Sequence, residues 1–244
     1  MGLLDIFGNI IYLLMYSIAW IYFKIITNCE ILGKENRPED GPVIIMANHI
    51  TAYDPPLVGT IMNRKVHFMA KKELFENPIL SKILKAVGTF PVKRGKPDRS
   101  AFRESFRLLN NDKVICIFPE GTRSNTGELG NAKAGSIMIA LKSESPILPV
   151  GIKKDGHKFK VSIGKPFTLD EYYDKKLSRD ERKIVGKKIM KKIENEIQKI
   201  WWKIKNIIFM EKYLDRCFFL YYNVNSDMYF ILYIYFFELK EGFL

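Results

Sequence analysis

The sequence predicts an α/β fold, and three observations carry that prediction. Short apolar runs bounded by turn residues recur along the chain. Amphipathic helical stretches separate them. The residues with chemical potential stand just past the ends of the runs. Together these predict a single domain over residues 29–205, built on a mixed, mostly parallel sheet flanked by helices. A membrane-associated apolar helix over residues 1–28 precedes it. An aromatic-rich tail over 206–244, to which no role is assigned, follows.

A chain of 244 residues suffices for one sizeable α/β domain with extensions. Lysine and arginine total 39 against 27 acids, a formal charge of +12 that fits an anionic partner. No RNA-binding aromatic signature or Cys/His finger spacing is present, and the aromatics gather at the two ends, so an anionic membrane surface is expected rather than nucleic acid. Cys29, Cys116 and Cys217 are widely spaced and read as reduced thiols. With only His49, His67 and His157 available, no metal site is expected.

Taken in order, Ile6 to Ile26 is apolar apart from Gly8, Asn9, Ser17 and Lys24, and as a helix it reaches about 31 Å, one hydrocarbon thickness. It lacks a basic leader and a small-residue cleavage site, so a cleaved signal peptide is not expected. Its aromatics favour a helix in one leaflet, with a span and a soluble core helix as the other readings. Glu30 to Gly33 reads as a short strand. Val43-Ile44-Ile45-Met46-Ala47, opened by Gly41-Pro42, reads as a buried strand ending at Asn48-His49. Asp54 before Pro55-Pro56 signals a helix start. In the turn between them, the Asp54 carboxylate can fold back on the His49 ring and fix its tautomer, which is what a general base needs. The alternative is that Asp54 only caps the helix and His49 is a turn residue.

Leu57 to Met62 predicts a short helix, Val66 to Ala70 a second strand, and Asn77-Pro78 the start of an amphipathic helix through Ala86. Gly88 to Gly95 is strand-like and ends in Lys93-Arg94, which read either as phosphate contacts or as a solvated turn. Asp98 caps a helix from Arg99 to Leu109. Val114 to Phe118 is the clearest buried strand, and it delivers Pro119-Glu120-Gly121-Thr122-Arg123-Ser124. There glycine allows close backbone approach, and Arg123 offers a planar fork that matches phosphate oxygens. A small-residue helix from Ala134 to Leu141, a strand from Pro146 to Ile152 and a half-buried alternating strand from Lys158 to Ile163 follow. Arg179 to Lys203 predicts a basic amphipathic helix whose Val185, Ile189, Ile193, Ile197 and Ile200 form one face. It either closes over the core or touches anionic headgroups.

Four of these blocks, in order, resemble the lysophospholipid acyltransferase family, most closely the branch that acylates 1-acyl-sn-glycerol 3-phosphate. Asn48-His49 to Asp54 is similar to its H-x4-D motif, with Thr51 where serine is common. Gly88 to Gly95 resembles the second motif, with Lys93 where an aspartate often precedes the arginine. Phe118 to Ser124 matches the third along its length, and Ile147-Leu148-Pro149-Val150 resembles the fourth. The resemblance covers residues 30 to 200. It implies transfer of a fatty acyl group from acyl-CoA or acyl-carrier protein to the sn-2 hydroxyl of lysophosphatidic acid, giving phosphatidic acid. His49, held by Asp54, is then the general base. Arg123, Arg94 and Lys93 neutralise the phosphate, and Glu120, Gly121 and Thr122 shape the acceptor pocket. Neither a Gly-x-Ser-x-Gly elbow nor a placed cysteine is present for an acyl-enzyme, so direct transfer without cofactor or metal is expected. The implied location is the cytoplasmic face of a membrane, as a peripheral, monotopic or single-span protein. The competing readings are acylation of another lysophospholipid and non-catalytic lipid binding at a membrane.

Overall fold

The apolar runs become the strands of one sheet, whose order places the His49 turn at its centre. The computed structural model describes residues 3–221 apart from 94, 96, 97 and 125, with side chains described over 7–203. Arg94, and the tail beyond residue 221, lie outside the described residues. The chain divides into two compact units, Met1–Ile200 and Trp201–Leu244. In the second, residues 201–221 are helical.

The first unit opens with α1 (Leu3–Ile21), prolonged by a π-turn over Tyr22–Ile26. The strands are β1 (Glu30–Leu32), β2 (Val43–Ala47), β3 (Val66–Lys71), β4 (Thr89–Val92), β5 (Val114–Ile117), β6 (Ile147–Asp155) and β7 (Lys158–Ile163). Between them lie α2 (Asp54–Ile61), α3 (Pro78–Ala86), α4 (Arg99–Leu109) and α5 (Ala134–Ser143), and α6 (Arg179–Tyr221) follows. The sheet order is β1-β7-β6-β2-β5-β3-β4. The strands from β6 to β4 are mutually parallel, β7 is antiparallel to β6, and β1 is parallel to β7. The expected mixed, mostly parallel sheet is thus observed. The short β1 covers β7, which is why the alternating Lys158–Ile163 run is more buried than an edge strand would be.

β2 and β5 are buried throughout because helices cover both faces of the sheet. Val43, Ile45, Ala47, Val114 and Cys116 pack on one side with α2 (Leu57, Val58, Ile61), Phe23 and Phe159. Ile44, Met46, Ile115 and Ile117 pack on the other with α4, α5 and the start of α6, through Leu108, Ile137, Val185, Ile189 and Ile193. Truncating a side chain such as Ile45, fully buried between these layers, to alanine costs about 2–5 kcal/mol. Gly151 on β6 lets α6 approach closely, since a Cβ there would stand 2.6 Å from the backbone nitrogen of Ile197. The residues predicted to line one face of the last helix are therefore core residues, so the core-covering reading of that face is the one observed.

The chain leaves β2 for α2 on one face and β5 for α5 on the opposite face. Adjacent parallel strands whose connections diverge in this way leave a crevice at their carboxyl ends, the usual ligand position in open α/β sheets. His49 and Glu120 stand at that crevice.

Candidate active site

Asn48 ends β2 and holds the site to the neighbouring strand. Its side-chain amide accepts from the Ile152 N–H at 2.7 Å and donates to the Ile152 carbonyl at 2.9 Å. It behaves as one more peptide of the ladder, so the chain can turn away from the sheet without leaving buried backbone groups unpaired. The sequence reading gave Asn48 no role, because its partner is distant in sequence and the contact exists only once β2 lies beside β6.

The turn that follows closes on Asp54, which is completely buried. Asp54 Oδ2 accepts from the Ile50 N–H at 2.6 Å and the Thr51 N–H at 2.8 Å, and Oδ1 accepts from the Thr51 hydroxyl at 2.7 Å. Oδ2 also lies 2.7 Å from His49 Nδ1. The helix begins at Asp54 itself, with Tyr53 as the flanking residue and no side-chain cap hydrogen bond. This corrects the reading of Asp54 as a helix cap: its oxygens face back into the turn, because Pro55 and Pro56 have no N–H to give and the Leu57 N–H goes to the Tyr53 carbonyl at 2.9 Å.

With donors on every other side, the His49–Asp54 contact is a hydrogen bond only if Nδ1 carries the proton. The lone pair then resides on Nε2. Among the described residues Nε2 has no partner, and no buried side-chain nitrogen or oxygen lacks one, so Nε2 opens to the surface although His49 as a whole is only 8% exposed. The ring is stacked on Phe118, with centroids 4.1 Å apart and planes at 19°. One face is thus apolar and one nitrogen anchored, which leaves the Nε2 edge for chemistry.

β5 supplies the opposing wall. Glu120 Oε1 accepts from the His49 N–H at 3.1 Å and Oε2 from the Gly130 N–H at 2.9 Å. Both oxygens are engaged with backbone, and the residue is buried. The Ser124 N–H donates to the His49 carbonyl at 2.8 Å, so the residue after Arg123 is bonded directly to the His49 backbone. Gly121 has a left-handed φ of 71°, which an L side chain disfavours, and Lys133 lies across it. Lys133 also ties its N–H to the Pro119 carbonyl at 2.8 Å and stands at the start of α5. Gly121, Thr122, Arg123 and Lys133 are exposed, and among the described residues no carboxylate pairs with Arg123.

Of the predicted site residues, the structure brings His49, Asp54, Glu120, Gly121, Thr122 and Arg123 to one crevice. Lys93 lies at the same edge of the sheet but after β4, three strand spacings from β2, or about 14 Å. Its N–H donates to Asp98 at 2.8 Å while its side chain is exposed. Arg94 is outside the described residues. Lys133 appears in the sequence beside the third motif, but only its contact with Gly121 shows that it shares the crevice. His67 hydrogen-bonds the Gly88 carbonyl from the body of β3, where burial lowers its pKa, and His157 is exposed in the β6–β7 turn. Among the described residues no three His, Cys, Asp or Glu side chains are grouped as metal ligands.

Residues 28–153 match the family model described as Acyltransferase. The chain is 34% identical over 147 residues to the 1-acyl-sn-glycerol-3-phosphate acyltransferase of Bacillus subtilis, an alignment covering 56% of this chain and 72% of that one. It is 34% identical over 131 residues to the enzyme of the same name from Borreliella burgdorferi, covering 53% of this chain and 52% of the relative. In three dimensions it is similar to the crystal structure of the 1-acyl-sn-glycerophosphate acyltransferase of Thermotoga maritima. The TM-score is 0.59 at 26% identity, covering 75% of this chain and 78% of that one.

Proposed function

The chain belongs to the Acyltransferase family, and on that premise we propose that it moves a fatty acyl group from an acyl thioester to the sn-2 hydroxyl of 1-acyl-glycerol 3-phosphate, giving phosphatidic acid. The observation that carries this reading is the His49–Asp54 hydrogen bond of 2.7 Å, which leaves Nε2 open at the crevice. Nε2 takes the proton of the acceptor hydroxyl as its oxygen attacks the thioester carbonyl. The tetrahedral intermediate collapses with cleavage of the C–S bond, and the imidazolium returns the proton to the departing thiolate. One C–O bond forms, one C–S bond breaks, and the balance needs no cofactor. Buried Asp54 lowers the free energy of the imidazolium formed on the way.

Direct transfer is supported by the state of the described thiols. Burial pushes Cys29 up to about 11 and raises Cys116 as well, so neither offers a thiolate to hold an acyl group. The acyl donor is acyl-CoA or acyl-carrier protein. Arg123 meets the acceptor phosphate, with Lys133 across Gly121 and Lys93 after β4 as further cations, and Arg94 is expected from the sequence to join them. Gly121 and Thr122 form the exposed floor between the cations and His49. Glu120 acts by holding the His49 and Gly130 backbones together.

Phe7–Ile26 is the one helical segment of the described residues long and apolar enough to cross a membrane. Its contacts support a helix lying in one leaflet instead. Tyr12 lies under the Lys65 ammonium at 4.5 Å, and Tyr22 stacks on Tyr53 with centroids 5.7 Å apart. These contacts are ten residues apart, roughly 15 Å of helix along which the domain lies where a span would need lipid. The outward side, including Phe7, Ile10, Leu14, Ile18, Ile21 and Ile25, is exposed at helical spacing. Tyr53 belongs to the catalytic turn, so the membrane helix is packed directly on the site that needs a lipid substrate. The excess of basic residues and the free thiols favour an anionic cytoplasmic leaflet.

The test is a matrix of acyl donors against lysophospholipid acceptors with the purified protein. Highest kcat/KM on lysophosphatidic acid is expected. A preference for lysophosphatidylethanolamine or lysophosphatidylglycerol would overturn the acceptor assignment, and no turnover with any pair would favour a lipid-binding protein.

A further inference from the structure

One helix of the first unit is patterned like a core helix, yet its apolar face is half-buried at Ile83 and Leu84 and exposed at Ile79 and Leu80. α3 carries Ile79, Leu80, Ile83 and Leu84 at helical spacing, but none of its side chains is buried and it joins neither apolar layer. Ile79 is 71% exposed, the most of any large apolar side chain described. Leu80 and, in the 3-10 turn before it, Leu74 are exposed as well. A helix start capped by Asn77, which accepts from the N–H groups of Ile79 and Leu80 at 3.0 Å each, fixes this apolar face in place. Lys71 and Lys72 precede it and Lys82 and Lys85 lie on the polar side of the helix, against Glu73 and Glu76. α3 also packs beside α1, whose outward side is likewise apolar and exposed.

We propose that Leu74, Ile79 and Leu80 form a second membrane-docking element, sinking into the same anionic leaflet as α1, with Lys72, Lys82 and Lys85 at the level of the lipid phosphates. This rests on the reading of α1 as a helix within one leaflet. Adjacency to α1 and the excess of lysines over glutamates on this segment select an anionic lipid surface as the occupant. The consequence is orientational. A single helix in a leaflet is free to roll about its axis, whereas two elements define a plane and stop the roll. The 3-10 turn leaves the carboxyl end of β3, the same edge of the sheet that holds His49. Docking there holds the crevice at a fixed angle to the lipid surface from which the acceptor is drawn.

The full-length protein is tested with an environment-sensitive fluorophore on Ile79→Cys or Leu14→Cys, each with Cys217→Ser, bound to phosphatidylglycerol-containing vesicles with bromines at shallow or deep acyl positions. Strong shallow quenching of both probes is expected. Quenching at Leu14 alone overturns the proposal and leaves the in-leaflet reading of α1 standing. Deep quenching at Leu14, or none, overturns that reading and the proposal with it. Concentration-dependent shielding of the Ile79 probe without vesicles would make the face a contact between copies, and overturns the proposal. Separately, Ile79→Glu with Leu80→Glu should lower the vesicle partition coefficient about a hundredfold, roughly tenfold per aliphatic side chain. Turnover of a short-chain acceptor dissolved below its micelle concentration should stay at the wild-type rate. Unchanged partition in this variant would count against docking through α3.

Discussion

Replacing Asp54 by asparagine separates its bracing of the turn from the charge that the proposed mechanism asks of it. Its Oδ2 accepts three of the four hydrogen bonds and Oδ1 only the one from Thr51. An asparagine with its carbonyl oxygen in the Oδ2 position keeps the Ile50, Thr51 and His49 contacts. Its amino group then faces the Thr51 hydroxyl, which can rotate to accept while still receiving the Tyr53 N–H at 3.1 Å. The fold and the His49 tautomer survive, and only the negative charge is lost. With charge centres about 4 Å apart and an effective dielectric of about 20, that charge stabilises the imidazolium by about 4 kcal/mol. The expected loss in kcat is therefore about a thousandfold. Acceptor KM and Tm should hold close to wild type. Asp54→Ala also orphans three N–H groups, that of His49 Nδ1 among them, and a hydroxyl, at about 1–3 kcal/mol for each one left buried, and should lower Tm by many degrees as well. Steady-state kinetics alongside calorimetry reads both effects. If Asp54→Asn keeps kcat within tenfold of wild type while Asp54→Ala unfolds, the carboxylate only braces the turn and the electrostatic argument fails.

Further expectations concern the surroundings of the pair. Arg123→Ala should raise acceptor KM about tenfold or more with a much smaller change in donor KM; an unmoved acceptor KM in initial-rate measurements would remove Arg123 from phosphate recognition. Glu120→Gln replaces one acceptor with an amino group that must face the N–H of either His49 or Gly130, so it should cost about 1–3 kcal/mol in chemical denaturation and lower kcat; wild-type values for both would deny the brace. Asp98 is held at about 2, chiefly by the Ser100 hydroxyl and the Lys93 N–H. A folded pKa below the unfolded one adds stability above pH 4 and loses it as pH falls toward 2, so acid unfolding of Asp98→Asn should be flatter over that window than wild type.

The fold and the His49–Asp54 contact were legible because their signals are local. Apolar runs such as Val114 to Phe118 announce buried strands, and a turn with four residues between His49 and Asp54 allows the ring and carboxylate to meet. What was not legible depends on pieces brought together by the sheet. Asn48 bonds Ile152, and Glu120 bonds the His49 backbone, only because β2 lies between β6 and β5. The direction of the Asp54 carboxylate turned on a helix beginning one residue earlier than a cap would require. α3 exposes a subtler limit. An amphipathic pattern states that one face avoids water, and it reads the same whether that face meets a core or a lipid. The α6 pattern met a core and the α3 pattern did not, a difference visible only in burial.

The central claim is that Nε2 of His49 drives acyl transfer onto lysophosphatidic acid. It is tested most directly by phosphatidic acid formation from an acyl thioester and 1-acyl-glycerol 3-phosphate, measured for wild type and His49→Ala at matched vesicle binding. The expected result is rapid product formation by wild type and a loss of at least about a thousandfold in a folded, membrane-bound His49→Ala. Product formation by His49→Ala within tenfold of wild type would contradict it.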